Sequence, residues 1–431
     1  MLDLTRIASE AIDSMKRKGA DQGQLFVTES ETKEFNVDSG ELTLFRTLFN
    51  EDINVLVYKN SKKGSCFMNK LSEDSVEKAL DSALLSSESG VEDECYEIAP
   101  FQGDIKAEKG VYEADTDKLF LRTEELINKI KEEYPKVMIQ QLIVSHDRRH
   151  MVYMNTNNTY CEEYIGSYSV SLTIAGNDGD ITTSIIGAGV KTDNLDHPFI
   201  ELGNIKEQIR VAESQLEAKP FDDKFTGVMI LTPGCMETFV SFMAGLVNGG
   251  VILDKTSIWI DKLEEIVADP RISLKNDPSD RRIVCGETLT FDGFISEPFD
   301  FIKEGVLKNF FIDHYISKKT GYKRALNGSF SMIAEPGEKS IDDIIKQVKK
   351  GIIVGEFSGG YPGTNGDFSG VAKNSYLVED GQVKHGITEA MINGNLAEML
   401  LNLVGVSKEV VANGWDVLPY MAFDGIVVTG K

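Results

Sequence analysis

Apolar residues recur with a helical period from the start of the chain. Leu4, Ile7, Ala8, Ala11, Ile12 and Met15 fall on one face and Gly19 stops the run, which predicts an amphipathic helix. Strand-like runs follow at residues 24–28, 32–38, 41–50 and 53–59, with Asp38-Ser39-Gly40 as a turn and residues 66–68 extending the sheet. A second helix begins near Ser72 and buries Val76, Ala79, Leu80, Ala83 and Leu84. Helix, sequential strands, helix is an α+β order, which defines an N-terminal segment over residues 1–90. Residues 91–115 are acidic and aperiodic and read as an extended linker. Residues 116–218 repeat the theme. A helix at 116–134 precedes strands at 137–146, 150–155, 159–175 and 180–190, and a helix at 205–218 closes the segment. The recurrence suggests a structural duplication in which 1–90 and 116–218 form one lobe. Residues 219–431 are richer in short strands punctuated by glycine, including 282–284, 288–291, 305–311 and 316, and predict a barrel-like C-terminal domain.

Within that last segment, an apolar run at 228–231 meets Thr232-Pro233, a good helix start. Phe239, Phe242, Met243 and Leu246 share a face, and Asn248-Gly249-Gly250 ends the element.

Composition narrows the function classes. The 431-residue chain carries a net charge of −24 and no long Lys/Arg run, so direct nucleic-acid binding is not expected. Its five cysteines (Cys66, Cys95, Cys161, Cys235, Cys285) are scattered and contain no CxxC pair, as in a reducing cytosol. Neither a signal peptide nor a spanning apolar stretch is visible, and a cytoplasmic protein without membrane contact is expected.

Candidate chemistry is sparse. His146 and His150 are four apart, but Asp147-Arg148-Arg149 reads as a turn and the pair as exposed loop histidines. Cys235 sits in a first helical turn, where the dipole lowers a thiol pKa, yet no histidine base is near in sequence and it reads as structural. Ser241 lacks the G-x-S-x-G turn of a nucleophile. The Gly-rich loop 356–370 lacks a P-loop ending. Gly359, Gly360 and Tyr361 within it are candidates for contact with an extended peptide by strand addition.

Several fragments, in order and spacing, carry a resemblance over nearly the whole chain. They are G-E-L-T-L-F-R-T (40–47), Y-M-N-T-N (153–157), L-T-P-G…G-G-V-I-L-D-K-T-S-I-W (231–259), F-D-G-F (291–294), G-V-L-K-N-F-F-I-D (305–313) and G-D-F-S-G-V-A-K-N-S-Y-L-V-E-D-G (366–381). The sequence resembles the TldD/PmbA family, described as zinc-dependent peptidases and historically as modulators of DNA gyrase. The resemblance implies two lobes and two kinds of subunit. The catalytic kind bears H-E-x-x-x-H on the helix after Thr232 and a C-terminal cysteine. The PmbA (TldE)-like kind lacks these ligands and pairs with a catalytic one. Anchored on Thr256-Ser257, the motif falls on Val240, Ser241 and Gly245, and residues 413–421 hold no cysteine. The expectation is a PmbA-like subunit without catalysis or metal of its own. Zinc would reside only in a TldD-like partner subunit, and peptides or unfolded protein segments would be the bound species in proteolysis or peptide maturation. A stand-alone, peptide-binding homodimer and a hydrolase with an unrecognised site are the alternatives.

Overall fold

The computed structural model describes residues 3–430. The first lobe runs α1 (Leu4–Arg17), β1 (Gln22–Asp38), β2 (Glu41–Lys59), β3 (Lys62–Met68), α2 (Glu73–Glu88), β4 (Asp104–Gly110), α3 (Thr116–Glu133), β5 (Val137–Asn155), β6 (Tyr160–Asp178), β7 (Ile181–Thr182), β8 (Ile186–Thr192) and α4 (Ile205–Ser214). Both α+β segments share one sheet in the order β3-β2-β1-β5-β6-β4, with β7 and β8 also paired to β6. Within the segment read as a linker, β4 pairs parallel to β6.

The strands are longer than the sequence pattern predicts. β1, β2 and β5 are each continuous across stretches that read as breaks. The reason is visible in the pairing. Two apolar clusters occupy the same strands at opposite ends: α1 and α2 cover Leu25, Val27 and Val152, whereas α3 and α4 cover Phe35, Val37 and Val144. Between them the charged residues face each other across strands. Arg148 lies opposite Glu31 and donates to it at 3.1 Å, and donates to Glu113 at 2.6 Å. Thr32 donates to Asp147 at 2.6 Å. Polarity that resembles a turn in one dimension is here a set of cross-strand pairs.

The histidines are thereby corrected. His146 and His150 are buried in the middle of β5 rather than exposed in a loop. His146 Nε2 meets the Val111 carbonyl at 2.7 Å, and His150 stacks on Tyr164 with ring centroids 4.0 Å apart. Four positions along a strand separate them by about 13 Å, too far to share a metal ion.

The second lobe is a thirteen-stranded sheet wrapped around a large apolar core. Its β9 (Lys224–Leu231) pairs parallel with Lys350–Val354 and antiparallel with Val417–Thr429. Residues 282–284 and 288–291 form turns rather than strands, and Ile316 lies in the helix His314–Thr320. The stretch 288–291 instead packs on the other lobe. Gln24 donates to the Phe291 carbonyl at 2.9 Å, Thr288 donates to Glu163 at 2.5 Å, and Phe291 stacks on Phe26 at 5.6 Å. Among the described residues no helix is long and apolar enough to cross a membrane.

Gly293 closes this contact. Its φ is +87°, and a Cβ there would lie 2.1 Å from the Tyr153 hydroxyl. Gly293→Ala therefore adds left-handed backbone strain to an overlap in a buried joint. The expected loss is roughly 2–4 kcal/mol, read from urea unfolding. An unchanged midpoint would contradict this account of the joint.

Candidate functional site

The helix after β9, α5 (Pro233–Gly245), begins at Thr232, whose hydroxyl accepts from Cys235 N at 3.3 Å. Cys235, Met236, Phe239, Val240, Phe242 and Met243 are all buried. Phe239 and Phe242 pack edge to face on each other and on Phe357, at 5.4–5.7 Å. Such a helix can present only a narrow stripe to solvent. That stripe is Gly234, Glu237, Ser241 and Gly245, spaced by three or four residues, and it borders two cavities.

The first cavity is a cleft of about 700 Å³ between the lobes. Glu237 accepts from Asn413 Nδ2 at 2.7 Å, and Asn413 Oδ1 accepts from Trp415 N and Asp416 N at 3.0 and 2.9 Å. The turn 413–416 thus carries Asp416 to Glu237, where the two carboxyls hydrogen-bond. Burial raises the pKa of both, and the neighbouring Glu237 charge pushes Asp416 further, to about 8. At neutral pH the pair holds a proton. Cleft, paired carboxyls and amide suit the binding of polar backbone or cationic groups, and proton exchange with them.

The second cavity, about 530 Å³, opens beside the C-terminal half of α5 and is lined by Phe242, Leu246, Phe311, Phe330 and Tyr361. Ser241 and Tyr361 hydroxyls are 3.3 Å apart, and the place of a Cβ on Gly245 is 3.8 Å from the Tyr361 ring. Sequence-singled residues from two distant segments therefore meet here: Ser241, Gly245 and Tyr361. Val240 does not join them, since it is fully buried in the core. Gly359 ends the strand Glu356–Gly359, and a Cβ there would crowd the Phe357 ring at 2.7 Å, whereas Gly360 faces open space. The run from Gly355 to Tyr361 links the two cavities, because Gly355 and Glu356 line the cleft and Tyr361 the second cavity.

Cys235 is 2% exposed, and burial drives its thiol pKa well up. Desolvation outweighs the helix dipole, so the thiol is structural.

Comparison with known proteins bears on this helix. Residues 226–430 match the PmbA/TldA metallopeptidase C-terminal domain, and the match contains most of β9, all of α5 and the 413–416 turn. A Haemophilus influenzae protein named metalloprotease PmbA homolog is 21% identical over 83% of this chain and 81% of its own length. The C-terminal domain of this chain, residues 226–430, belongs to the TldD/PmbA family. The chain's fold is that of TldE from Thermococcus kodakarensis, with a TM-score of 0.86 at 20% identity, covering 98% of this chain and 100% of that one. A Bacteroides thetaiotaomicron protein described as a candidate modulator of DNA gyrase superposes with a TM-score of 0.88 at 20% identity, covering all of both chains.

The zinc implied for catalytic TldD/PmbA proteins does not fit the residues present. Val240 and Gly245 offer no donor, and the Ser241 hydroxyl is a poor one. Among the described residues no group of three or more His, Cys, Asp or Glu side chains is placed to hold a metal ion. The chemistry-bearing groups of this domain are instead Glu237, Asn413 and Asp416. Glu237 was legible as the lone charge on an apolar helix, but its partner lies far along the chain.

An acid whose pKa rises on folding binds a proton more tightly when folded. Its stabilising effect is present in full near pH 4 and is lost as pH rises through about 8. Asp416→Asn keeps the hydrogen bond and cannot ionise. It should stabilise the chain relative to wild type by roughly 1–3 kcal/mol at pH 9, with the difference shrinking towards pH 5, as read from thermal unfolding. A pH-independent difference would contradict the paired-carboxyl assignment.

Proposed function

We propose that this chain is the PmbA/TldE-like, ligand-holding subunit of a TldD/PmbA-type metallopeptidase system, with cleavage carried out by a zinc-bearing homologue. The observation that carries the reading is the surface of α5. Ser241 and Gly245 stand where the motif's glutamate and second histidine are expected from the family, and Tyr361 covers them. The space is an aromatic-lined cavity suited to a side chain rather than to an ion.

An extended peptide laid along Gly355–Tyr361 would pass from the cleft to the aromatic cavity. Main-chain hydrogen bonding would hold it with little sequence preference, and the 530 Å³ cavity would accept one apolar side chain. Partners in this reading are the peptide and a TldD-like subunit, or a second copy of the chain. The acidic net charge of −24 disfavours nucleic acid as the bound polymer.

A second reading, hydrolysis by this chain itself, is favoured by one observation, the proton-sharing Glu237–Asp416 pair in the cleft. Metal analysis and peptidase assays separate the two. The lone chain should bind no stoichiometric zinc and cleave no peptide, while an H-E-x-x-x-H homologue should gain activity when mixed with it. Cleavage by the lone chain that Asp416→Asn abolishes would install the second reading instead.

Peptide binding gives an independent check by fluorescence anisotropy. Gly360 stands in the open, so Gly360→Asp should leave the fold intact. Gly245→Leu should fill the aromatic cavity. Each is expected to weaken binding of an apolar peptide about tenfold, the loss of one well-packed contact. Wild-type affinity in both variants would remove the Gly355–Tyr361 path from the proposal.

A further inference from the structure

Arg324 is a partly buried cation with little to hold. Its side chain is 15% exposed, its guanidinium stacks on the Phe294 ring at 4.0 Å, and its Nη1 lies 3.8 Å from Asp292 Oδ1. It makes no hydrogen bond within the described residues, although guanidinium carries five donors. Burial lowers its pKa, and Asp292, Glu287 and Glu297 offset that only in part. Unfilled donors on a partly buried charge favour a ligand or water that fills them.

The donors face a cavity of about 300 Å³, separate from the two flanking α5. Arg324, Asp292 and Asp313 supply its charges, and Phe311 and Ile316 supply apolar wall. Both carboxylates are held in place. Asp292 accepts from Thr290 Oγ1 at 2.5 Å and from His314 N at 2.9 Å. Asp313 Oδ1 accepts from Ile316 N at 2.8 Å, which leaves its second oxygen available. A simple anion would be repelled by two carboxylates, and a simple cation by the guanidinium. The lining fits a small molecule that carries both charges and an apolar body.

We propose that this cavity binds a free apolar α-amino acid. Arg324 takes its carboxylate, Asp292 and Asp313 its ammonium, and Phe311 and Ile316 its side chain. The volume is at the lower end for ligand pockets and matches a molecule of leucine's size rather than a nucleotide or an oligopeptide. A chain associated with peptide breakdown would in this way sense or retain a single released residue.

Calorimetric titration of the full-length protein tests this with three probes. L-leucine should bind saturably. Leucinamide, which lacks the carboxylate, and N-acetylleucine, which lacks the ammonium, should each bind at least about tenfold more weakly, the effect of one lost charge-assisted contact. Arg324→Gln should weaken leucine binding at least about tenfold. If that variant fails to fold, because Arg324 supports Phe294, the ligand series on the wild-type chain still decides. No saturable heat from leucine up to about 10 mM would overturn the proposal. So would equal binding of all three probes, or a folded Arg324→Gln protein with wild-type affinity.

Discussion

The two lobes meet closely at two glycines, and the cleft between them exists because of that approach. At Gly414 a Cβ would lie 2.2 Å from the Lys191 carbonyl, and at Gly293 it would lie 2.1 Å from the Tyr153 hydroxyl. No side chain larger than hydrogen fits at either joint. The chain gains hydrogen bonds in exchange: Lys191 N donates to the Asn413 carbonyl, and Val284 N donates to the Gly414 carbonyl, both at 2.7 Å. The first joint fixes the 413–416 turn, which sets Asp416 against Glu237. The second fixes the Phe291–Phe294 loop, which sets Asp292 and Phe294 against Arg324. Both clusters of charge therefore follow from contacts between lobes rather than from local sequence.

Burial then decides what those charges can do. Two carboxyls on a solvated surface would both ionise. Held together in the cleft, they retain a proton at neutral pH, so the cleft is less negative than its residues suggest. Arg324 shows the opposite sign of the same constraint. It has one ion-pair partner, Asp292 at 3.8 Å, and its side chain lines the third cavity. The net charge of −24 says nothing about either group, because it averages over a surface from which both are removed.

The α+β character, both lobes and most helices were legible in the sequence, since apolar periodicity reports burial directly. The strand lengths were not. Residues 29–31, 51–52 and 147–149 have turn-like polarity, and only the register that sets Glu31 against Arg148 makes them strand. His146 and His150 were misplaced for the same reason. Residues 282–291 carry strand-like composition because they pack on the other lobe's sheet, not because they join one. At the candidate site, α5 and its cap followed from Thr232-Pro233, and Ser241, Gly245 and Tyr361 were each singled out. Their meeting could not be read, because 116 residues separate Gly245 from Tyr361 and no local pattern encodes the contact. Asp416 and Arg324 lay in stretches whose composition is ordinary, and what distinguishes them is burial.

The helix α5 shows how packing selects the residues that a site can use. A helix packed on nearly all sides has one narrow stripe to offer, and its position is fixed by the core, not by the ligand. In this chain the stripe carries Glu237, Ser241 and Gly245. Gly245 leaves room where a donor side chain would project, and the Tyr361 ring occupies part of that room at 3.8 Å. The lining beside these positions is aromatic, with Phe311 and Phe330 on the same cavity. An aromatic ring backed by Phe242 at 5.2 Å is a lining that favours apolar contact. The stripe therefore offers a polar end at Glu237, on the cleft, and an apolar end at Gly245, on the aromatic cavity.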